Sequence, residues 1–389
     1  MHRKMVSEVR AAVTTPQPSS GIQVWEFDAP TMEKFFLELA QEKPVRFTAQ
    51  QLCAFTDNYN TVLSSGGFGR VYKGQFPNGV KIAVKVLNRG PNRNIEEQFM
   101  AEVGTIGRTH HINLVRLYGF CYDHFMSALV YEFMENGSLD NHLFSENQEL
   151  QWDKLHEIAV RTAKGIAYLH EECQQRIIHY DIKPGNVLLD ENFSPKVADF
   201  GLAKLCNRND SHVTITGYRG TPGYLAPEFL LKNFPITYKC DVYSFGILLF
   251  EIVGRRKNTR GGGNSNDSLN WFPKKVWEEF EKGELMKLTE EKDRVKAERM
   301  AMVALWCAQD SPVARPPMSA VVKMLEGGVE ILPPPKPFHY LFSVGTDVLR
   351  PPSDSESGSD YTTCEGTNSY WYKETTPIMA EYEITVATL

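Results

Sequence analysis

The run His179-Tyr180-Asp181-Ile182-Lys183-Pro184-Gly185-Asn186, followed by Asp199-Phe200-Gly201 beyond a strand-like stretch, constrains this chain more than any other feature. Any fold that carries it must bring one acid, one cation and two hard oxygen donors to a common point. That is the inventory of phosphoryl transfer, which asks for in-line geometry, neutralised phosphate charge and an oriented attacking oxygen rather than covalent help. Asp181 is placed to accept a hydroxyl proton and Lys183 to hold the transferring phosphoryl group. Asn186 and Asp199 supply the oxygen ligands that magnesium prefers. Each tripeptide alone is weak; their order makes the pattern specific.

The nucleotide half lies upstream. Leu63-Ser64-Ser65-Gly66-Gly67-Phe68-Gly69-Arg70-Val71 reads as strand, glycine-rich turn, strand. Backbone amides approach phosphates closely only where side chains are absent. A hairpin signal, Pro77-Asn78-Gly79, leads to the strand Lys81-Ile82-Ala83-Val84-Lys85-Val86-Leu87. A lone glycine loop is usually just a turn; the strand lysine and a following helical acid argue otherwise. Phe99, Val103 and Ile106 mark the buried face of that helix, and helical geometry alone does not choose between Glu96 and Glu102, which both flank it. Glu102 is favoured because Ile106 continues the apolar seam toward Leu114-Val115-Arg116-Leu117, whereas Glu96 and Glu97 suit a solvated helix start.

Composition removes other classes. A formal charge of −6 over 389 residues gives no basic footprint for nucleic acid. Seven cysteines without metal or redox spacing suit a reducing compartment, and Cys121, Cys173, Cys240 and Cys307 sit in apolar surroundings that predict core positions. Strand signals dominate from Phe68 to Tyr131. After Gly137 the pattern turns helical, with Leu155, Ile158, Ala159, Thr162, Ile166 and Leu169 on one seam. Asp241 to Val253 is apolar nearly all round and predicts a central buried helix. The stretch around Gly261-Gly262-Gly263 reads as a surface loop, with helical character resuming at 271–287 and 294–309.

With these segments in place, the chain resembles the eukaryotic protein kinase family from about Phe55 to Gly327, and its plant receptor-like branch in particular. Gly220-Thr221-Pro222-Gly223-Tyr224-Leu225-Ala226-Pro227-Glu228 and Lys239-Cys240-Asp241-Val242-Tyr243-Ser244-Phe245-Gly246 carry the resemblance further. Phrases such as Asn113-Leu114-Val115-Arg116-Leu117-Tyr118-Gly119 and Tyr131-Glu132-Phe133-Met134-Glu135-Asn136-Gly137-Ser138-Leu139 point to the branch, and the catalytic-loop wording is most similar to S-receptor-like and leaf-rust-resistance-type kinases. The resemblance implies an α+β, bilobal fold: a small antiparallel-sheet N-lobe with one helix, a larger helical C-lobe, and ATP with Mg2+ between them. It implies adenine sandwiched by Val71, Ala83 and Leu188, bound by the carbonyl of Glu132 and the amide of Met134, with Tyr131 as gatekeeper. Leu63, Ser64, Gly66 and Gly69 join the cofactor-binding set, and Lys85, held by Glu102, contacts the α and β phosphates. His179, Phe200, Ile106 and Leu117 form an apolar spine anchored by Asp241, and Glu228 pairs with Arg315.

Two positions depart from the family pattern. Ser64 replaces the first glycine of the phosphate loop, and Tyr180 stands where most kinases carry arginine before the catalytic aspartate. That arginine answers an activation-segment phosphate through a charge-assisted contact, which tyrosine cannot make. Lys183 and Gly220-Thr221-Pro222-Gly223-Tyr224 resemble the serine/threonine pattern, which implies Ser/Thr-bearing protein substrates. Thr214, Thr216 and Thr221 are candidate phosphosites, although Thr221 equally suits a hydrogen bond to the catalytic loop. Lys85, Asp181, Asn186 and Asp199 are all present, which disfavours the alternative of a pseudokinase scaffold that binds nucleotide and partners without transfer.

The expected boundaries are a partly disordered juxtamembrane-like arm over 1–54, a kinase domain over 55–328 divided near residues 134 and 135, and a disordered Pro/Ser/Thr-rich tail over 329–389. Met32 to Leu39 reads as a short amphipathic helix within the arm. No apolar run is long enough to span a bilayer, and His2 excludes the glycine that myristoylation requires. The resemblance implies a cytoplasmic protein or one at the inner face of the plasma membrane, with receptor or co-receptor kinases as candidate partners. A soluble receptor-like kinase, a truncated product and an excised receptor portion all fit.

Overall fold

The computed structural model describes residues 44–339, apart from Phe68 and residues 89–94, 124–125, 146–149, 209–219, 231–234, 259–270 and 286–292. The helix expected over 32–39, the loop at 261–263, Thr214, Thr216 and the tail beyond His339 lie outside the described residues. The first described elements are strand β1 (Val45–Arg46) and helix α1 (Ala49–Phe55), ahead of the Phe55 boundary read from the sequence. Thr48 caps α1 with a complete capping box, accepting from the Gln51 amide while the Gln51 side chain accepts from the Thr48 amide.

Strands β2 (Val62–Gly66), β3 (Gly69–Gln75), β4 (Lys81–Leu87), β5 (Leu117–Tyr122) and β6 (Ser127–Glu132) complete a six-stranded sheet in the order β1-β5-β6-β4-β3-β2. Its pairs are antiparallel except β1 with β5, which is parallel. The β3–β4 hairpin turns at Gly79, whose φ of +86° a side chain would resist. Helix α2 (Ile95–Thr105) packs on β5 through Phe99, which lies edge-on to Phe120 at 5.5 Å. Residues 55–134 thus form the expected antiparallel sheet with one α-helix, and β1 and α1 add a parallel edge strand and a helix from the preceding arm.

The extra elements form a strap over 44–57. Phe47 and Leu52 are buried, and Phe47, Phe55 and Phe76 meet with ring centroids 5.3–5.8 Å apart. The sheet is shaped to receive them: a Cβ on Gly119 would lie 2.2 Å from the Val45 carbonyl oxygen, and one on Gly107 would lie 2.7 Å from Pro44.

In the helical lobe, α3 (Leu139–Leu143) follows the β6 connection, and α4 (Trp152–Ala167) buries Leu155, Ile158, Ala159, Thr162 and Ile166 on one face. A π-helical turn, Tyr168–Glu172, extends α4 and buries Leu169. Helix α5 (Lys239–Gly254) is buried at every position from Cys240 to Val253, as its all-round apolar pattern predicts. Helices α6 (Phe272–Glu281) and α7 (Arg294–Cys307) pack on it, and α8 (Met318–Glu326) packs on α4 and α7. Short pairs β7 (Arg176–Ile178) with β10 (Lys204–Cys206), and β8 (Val187–Leu189) with β9 (Pro195–Val197), frame the loops of the cleft.

Cys121, Cys240 and Cys307 are buried as expected, but Cys173 is only half-buried, because it closes the π-helical turn at the surface. The chain after α8 also departs from expectation. Residues 329–339 lie against the helical lobe as a second strap: Trp306 Nε1 donates to the Leu332 carbonyl, Gln309 to that of Pro335, and the His339 amide to Asp310 Oδ2 at 2.7 Å. Phe338 ends this strap fully buried, 4.7 Å from the ring of Trp271.

Candidate active site

The cleft lies where β3, β4 and α2 of the sheet lobe face the loops around β8 and β9. Lys85 points inward from β4 and is buried. Its Nζ donates to Glu102 Oε1 at 2.6 Å and to Asp199 Oδ1 at 2.7 Å. Glu102 is therefore the helix acid that meets the strand lysine, while Glu96 accepts from the Tyr122 hydroxyl at an exposed edge. Sequence reasoning missed the second partner of Glu102: the Tyr131 hydroxyl donates to its Oε2.

These contacts set the charges. Burial alone would lower Lys85, but the carboxylates of Asp199 and Glu102 outweigh it and hold the ammonium above its ordinary value. Burial would raise Asp199, yet Lys85 pulls it below the usual carboxylate range. For Glu102 burial wins over Lys85, and its carboxyl is pushed up to about 7.

The catalytic loop is held from below by Asp241 in the first turn of α5. Its Oδ2 accepts from the His179 amide at 2.8 Å and from His170 at 2.9 Å, and its Oδ1 accepts from the Tyr180 amide at 2.8 Å. The imidazole of His179 takes the Asp181 amide on Nδ1, so Nε2 carries the proton it shares with the Ala198 carbonyl. Phe200 is fully buried, 4.8 Å from that ring, and Ile106 and Leu117 are buried in the same core.

Asp181 is the meeting point. Lys183 Nζ and Asn186 Nδ2 donate to its Oδ2 at 2.7 and 2.8 Å, and the Thr221 hydroxyl donates to Oδ1 at 2.5 Å. Lys183 also donates to Thr221 at 2.7 Å, so the hydroxyl joins the catalytic loop to the segment before Pro222. Of the two readings of Thr221, the hydrogen-bonding one is what the structure contains. Among the described residues no cluster of three or more His, Cys, Asp or Glu could hold a metal ion.

Leu63, Ser64 and Gly66 lie on β2, which is exposed throughout, and Gly69 opens β3 at a φ of +147°. Ala83 and Leu188 are half-buried against the main core, and Met134 is buried; Val71 pairs with Lys85 in the β3–β4 ladder. Tyr180 has φ +65° and buries its ring near Phe229, at a centroid distance of 6.1 Å. Glu228 and Arg315 form a bidentate pair at 2.7 Å, fully buried, and the remaining guanidinium protons go to the carbonyls of Gln309, Asp310 and Lys239. A charge pair so completely hydrogen-bonded meets the condition for burial.

A family model described as protein tyrosine and serine/threonine kinase matches residues 58–325. The chain belongs to this family. Among curated proteins it is 46% identical over 319 residues to Rust resistance kinase Lr10 of Triticum aestivum, covering 79% of this chain and 49% of that protein. It is 49% identical over 308 residues to a G-type lectin S-receptor-like serine/threonine-protein kinase of Arabidopsis thaliana, covering 76% and 34%. A PR5-like receptor kinase of the same plant is 41% identical over 327 residues, covering 81% and 48%. The kinase chain thus spans about half or less of the length of these relatives, all of them plant kinases. No helix among its described residues is long and apolar enough to cross a membrane.

Proposed function

We propose that this kinase transfers the γ-phosphate of ATP to serine and threonine hydroxyls of proteins, with magnesium as the metal. The observation that carries the reading is the simultaneous closure of both halves of the site: Lys85 holds Glu102 and Asp199 while Asp181 holds Lys183, Asn186 and Thr221. Transfer requires the strand-lysine to helix-glutamate pair and the metal-binding aspartate to be in place together.

In this reading Lys85 orients the α and β phosphates, and Asp181 receives the proton of the attacking hydroxyl, which replaces the Thr221 hydroxyl as donor to Oδ1. Lys183 holds the transferring phosphoryl group. The donor set fits magnesium: Lys85 occupies one oxygen of an ionised Asp199, and Asp181 engages the amide nitrogen of Asn186, which leaves one oxygen of each for a cation. A carboxylate and a carbonyl completed by substrate phosphates are typical of magnesium sites. When bound, the ion neutralises phosphate charge. The serine/threonine assignment rests on the relatives' names and on Lys183 bonded to Thr221.

Tyr180 supports a further part of the reading. Its buried ring cannot answer a phosphate, so a charge-assisted contact of roughly 1.5–3 kcal/mol is missing from the activation switch. Activity then depends only weakly on phosphorylation of Thr214 and Thr216. Replacing both by alanine, or treating the wild type with phosphatase, should leave initial rates within about a few-fold of the untreated wild type, by the same missing contact. A hundredfold loss in both would show gating through another basic residue.

Transfer itself is tested with labelled ATP and a general protein substrate. Incorporation that disappears in Lys85→Met supports the reading, and an inert wild type supports the scaffold alternative. Relatives are named as receptor and receptor-like kinases, and we place this chain's signalling beside such kinases, in the cytoplasm or at the inner face of the plasma membrane. A tagged chain found only in another compartment would contradict that placement.

A further inference from the structure

Lys196 has no role in the reading above, and Glu132 entered it only through its backbone. Both carboxylate oxygens of Glu132 lie 2.9 Å from Lys196 Nζ, and Oε1 also accepts from the Arg116 amide at 2.7 Å. The Glu132 amide returns a bond to the Arg116 carbonyl at 3.1 Å. The pair is shielded, with side chains 16% and 18% exposed. Lys196 sits in β9, whose backbone is pinned on the other side: Val197 N donates to the Asn113 carbonyl and Val115 N to the Val197 carbonyl, both at 2.9 Å. Asn113 Nδ2 donates to the Pro195 carbonyl at 3.0 Å. Immediately after β9, Ala198 N bonds the Asn186 carbonyl at 2.9 Å, and the next residue is Asp199.

One side chain therefore ties the hinge, the stretch Glu132 to Met134 whose backbone the adenine is expected to meet, to the strand that delivers the metal-holding aspartate and braces its asparagine. We propose that the Glu132–Lys196 pair is a positioning joint that couples the adenine-binding hinge to the magnesium site, so that metal and nucleotide bind cooperatively. The joint rests on the proposed reading of the cleft. Neither residue touches the reacting atoms; the lysine acts by fixing the register of β9, and the glutamate by fixing that lysine relative to the hinge. A partly shielded ion pair loses its partner's compensation when one side is removed, and the freed strand then relaxes around its remaining backbone bonds.

The test is calorimetric titration of ATP into the purified chain with and without saturating magnesium, for wild type, Lys196→Met, Glu132→Gln, the double variant and Lys196→Arg. Magnesium should tighten ATP binding to the wild type, and each single variant should cut that gain by about fivefold or more. The double variant should lose no more than either single one, since the two act as one unit. Lys196→Arg should restore the gain, because a guanidinium meets a carboxylate with two bonds. A merely structural ion pair would lower the thermal midpoint and leave the magnesium gain untouched. Should Lys196→Met fail to fold, Glu132→Gln keeps an oxygen for the Arg116 amide and gives the same readout. An unchanged gain in a folded single variant overturns the joint alone; no gain in the wild type overturns the reading of the cleft on which it rests.

Discussion

The cleft and the two straps hold themselves together by opposite means. Around Asp181 and Lys85 the contacts are short and polar, each carboxylate and ammonium answered by a named partner. The straps at 44–57 and 329–339 use buried apolar side chains and carbonyl contacts instead: Phe47 and Leu52 in one, Phe338 in the other. Chemistry demands particular residue types at fixed spacing, whereas a strap demands only an apolar side chain that fills a hollow. The first kind of region should fail in activity before stability, and the second in stability before activity.

The largest effect is expected in the cleft. Lys85→Met should lower transfer by roughly 10²–10³-fold, the range seen when one electrostatic stabiliser is removed. The fold should persist, because Glu102 can protonate and keep the Tyr131 hydroxyl as a partner. Near wild-type rates would show that Lys85 has another role. In the second strap, Phe338→Ala should cost about 3–5 kcal/mol in urea unfolding, the usual penalty for emptying a buried aromatic site. The turnover number per folded molecule should stay unchanged, and a large drop in it would blur the comparison.

In the first strap, Gly119→Ala sets a Cβ against the Val45 carbonyl and should cost about 1–3 kcal/mol, again without a matching loss of turnover. Loss of turnover at constant stability would mean that this strap acts on the cleft.

Acid sharpens the contrast within one residue. With its carboxyl pushed from 4.5 to about 7, Glu102 loses its charge, and Lys85 its partner, as pH falls through about 7, so the pH–rate profile should bend there. Stability runs the other way. The folded state keeps a proton that the unfolded chain releases, so this contribution is full below 4.5 and is lost as pH rises to about 7. Comparing thermal midpoints of wild type and Glu102→Gln across that window checks the sign. The smallest expected effect is at Ser64, exposed on β2. Ser64→Gly should lower the Michaelis constant for ATP by about a few-fold and leave turnover alone, since only backbone access to the phosphates changes.

The same comparison explains what the sequence reveals. Asp181, Lys183, Asn186, Asp199 and Lys85 are legible because their chemistry fixes both type and spacing, and α5 because its apolar run admits one environment. Glu102 needed the continuing seam of Ile106 to be separated from Glu96. The sequence places the second strap in a disordered tail and gives the first no element of its own, because Thr, Pro, Gln and scattered apolar residues carry no periodicity. Their order comes from hollows made by distant residues such as Gly119, Trp271 and Asp310. Lys196 gave no signal either, since a strand lysine is ordinarily a solvated one.

The most direct test of the account is phosphoamino-acid analysis of a protein substrate after incubation with labelled ATP, run in parallel for wild type and Asp181→Asn. The account predicts label on serine and threonine from the wild type and essentially none from the variant, which removes the proton acceptor and keeps the side chain's shape. Equal labelling by the two proteins, label on tyrosine, or an inert wild type would contradict it.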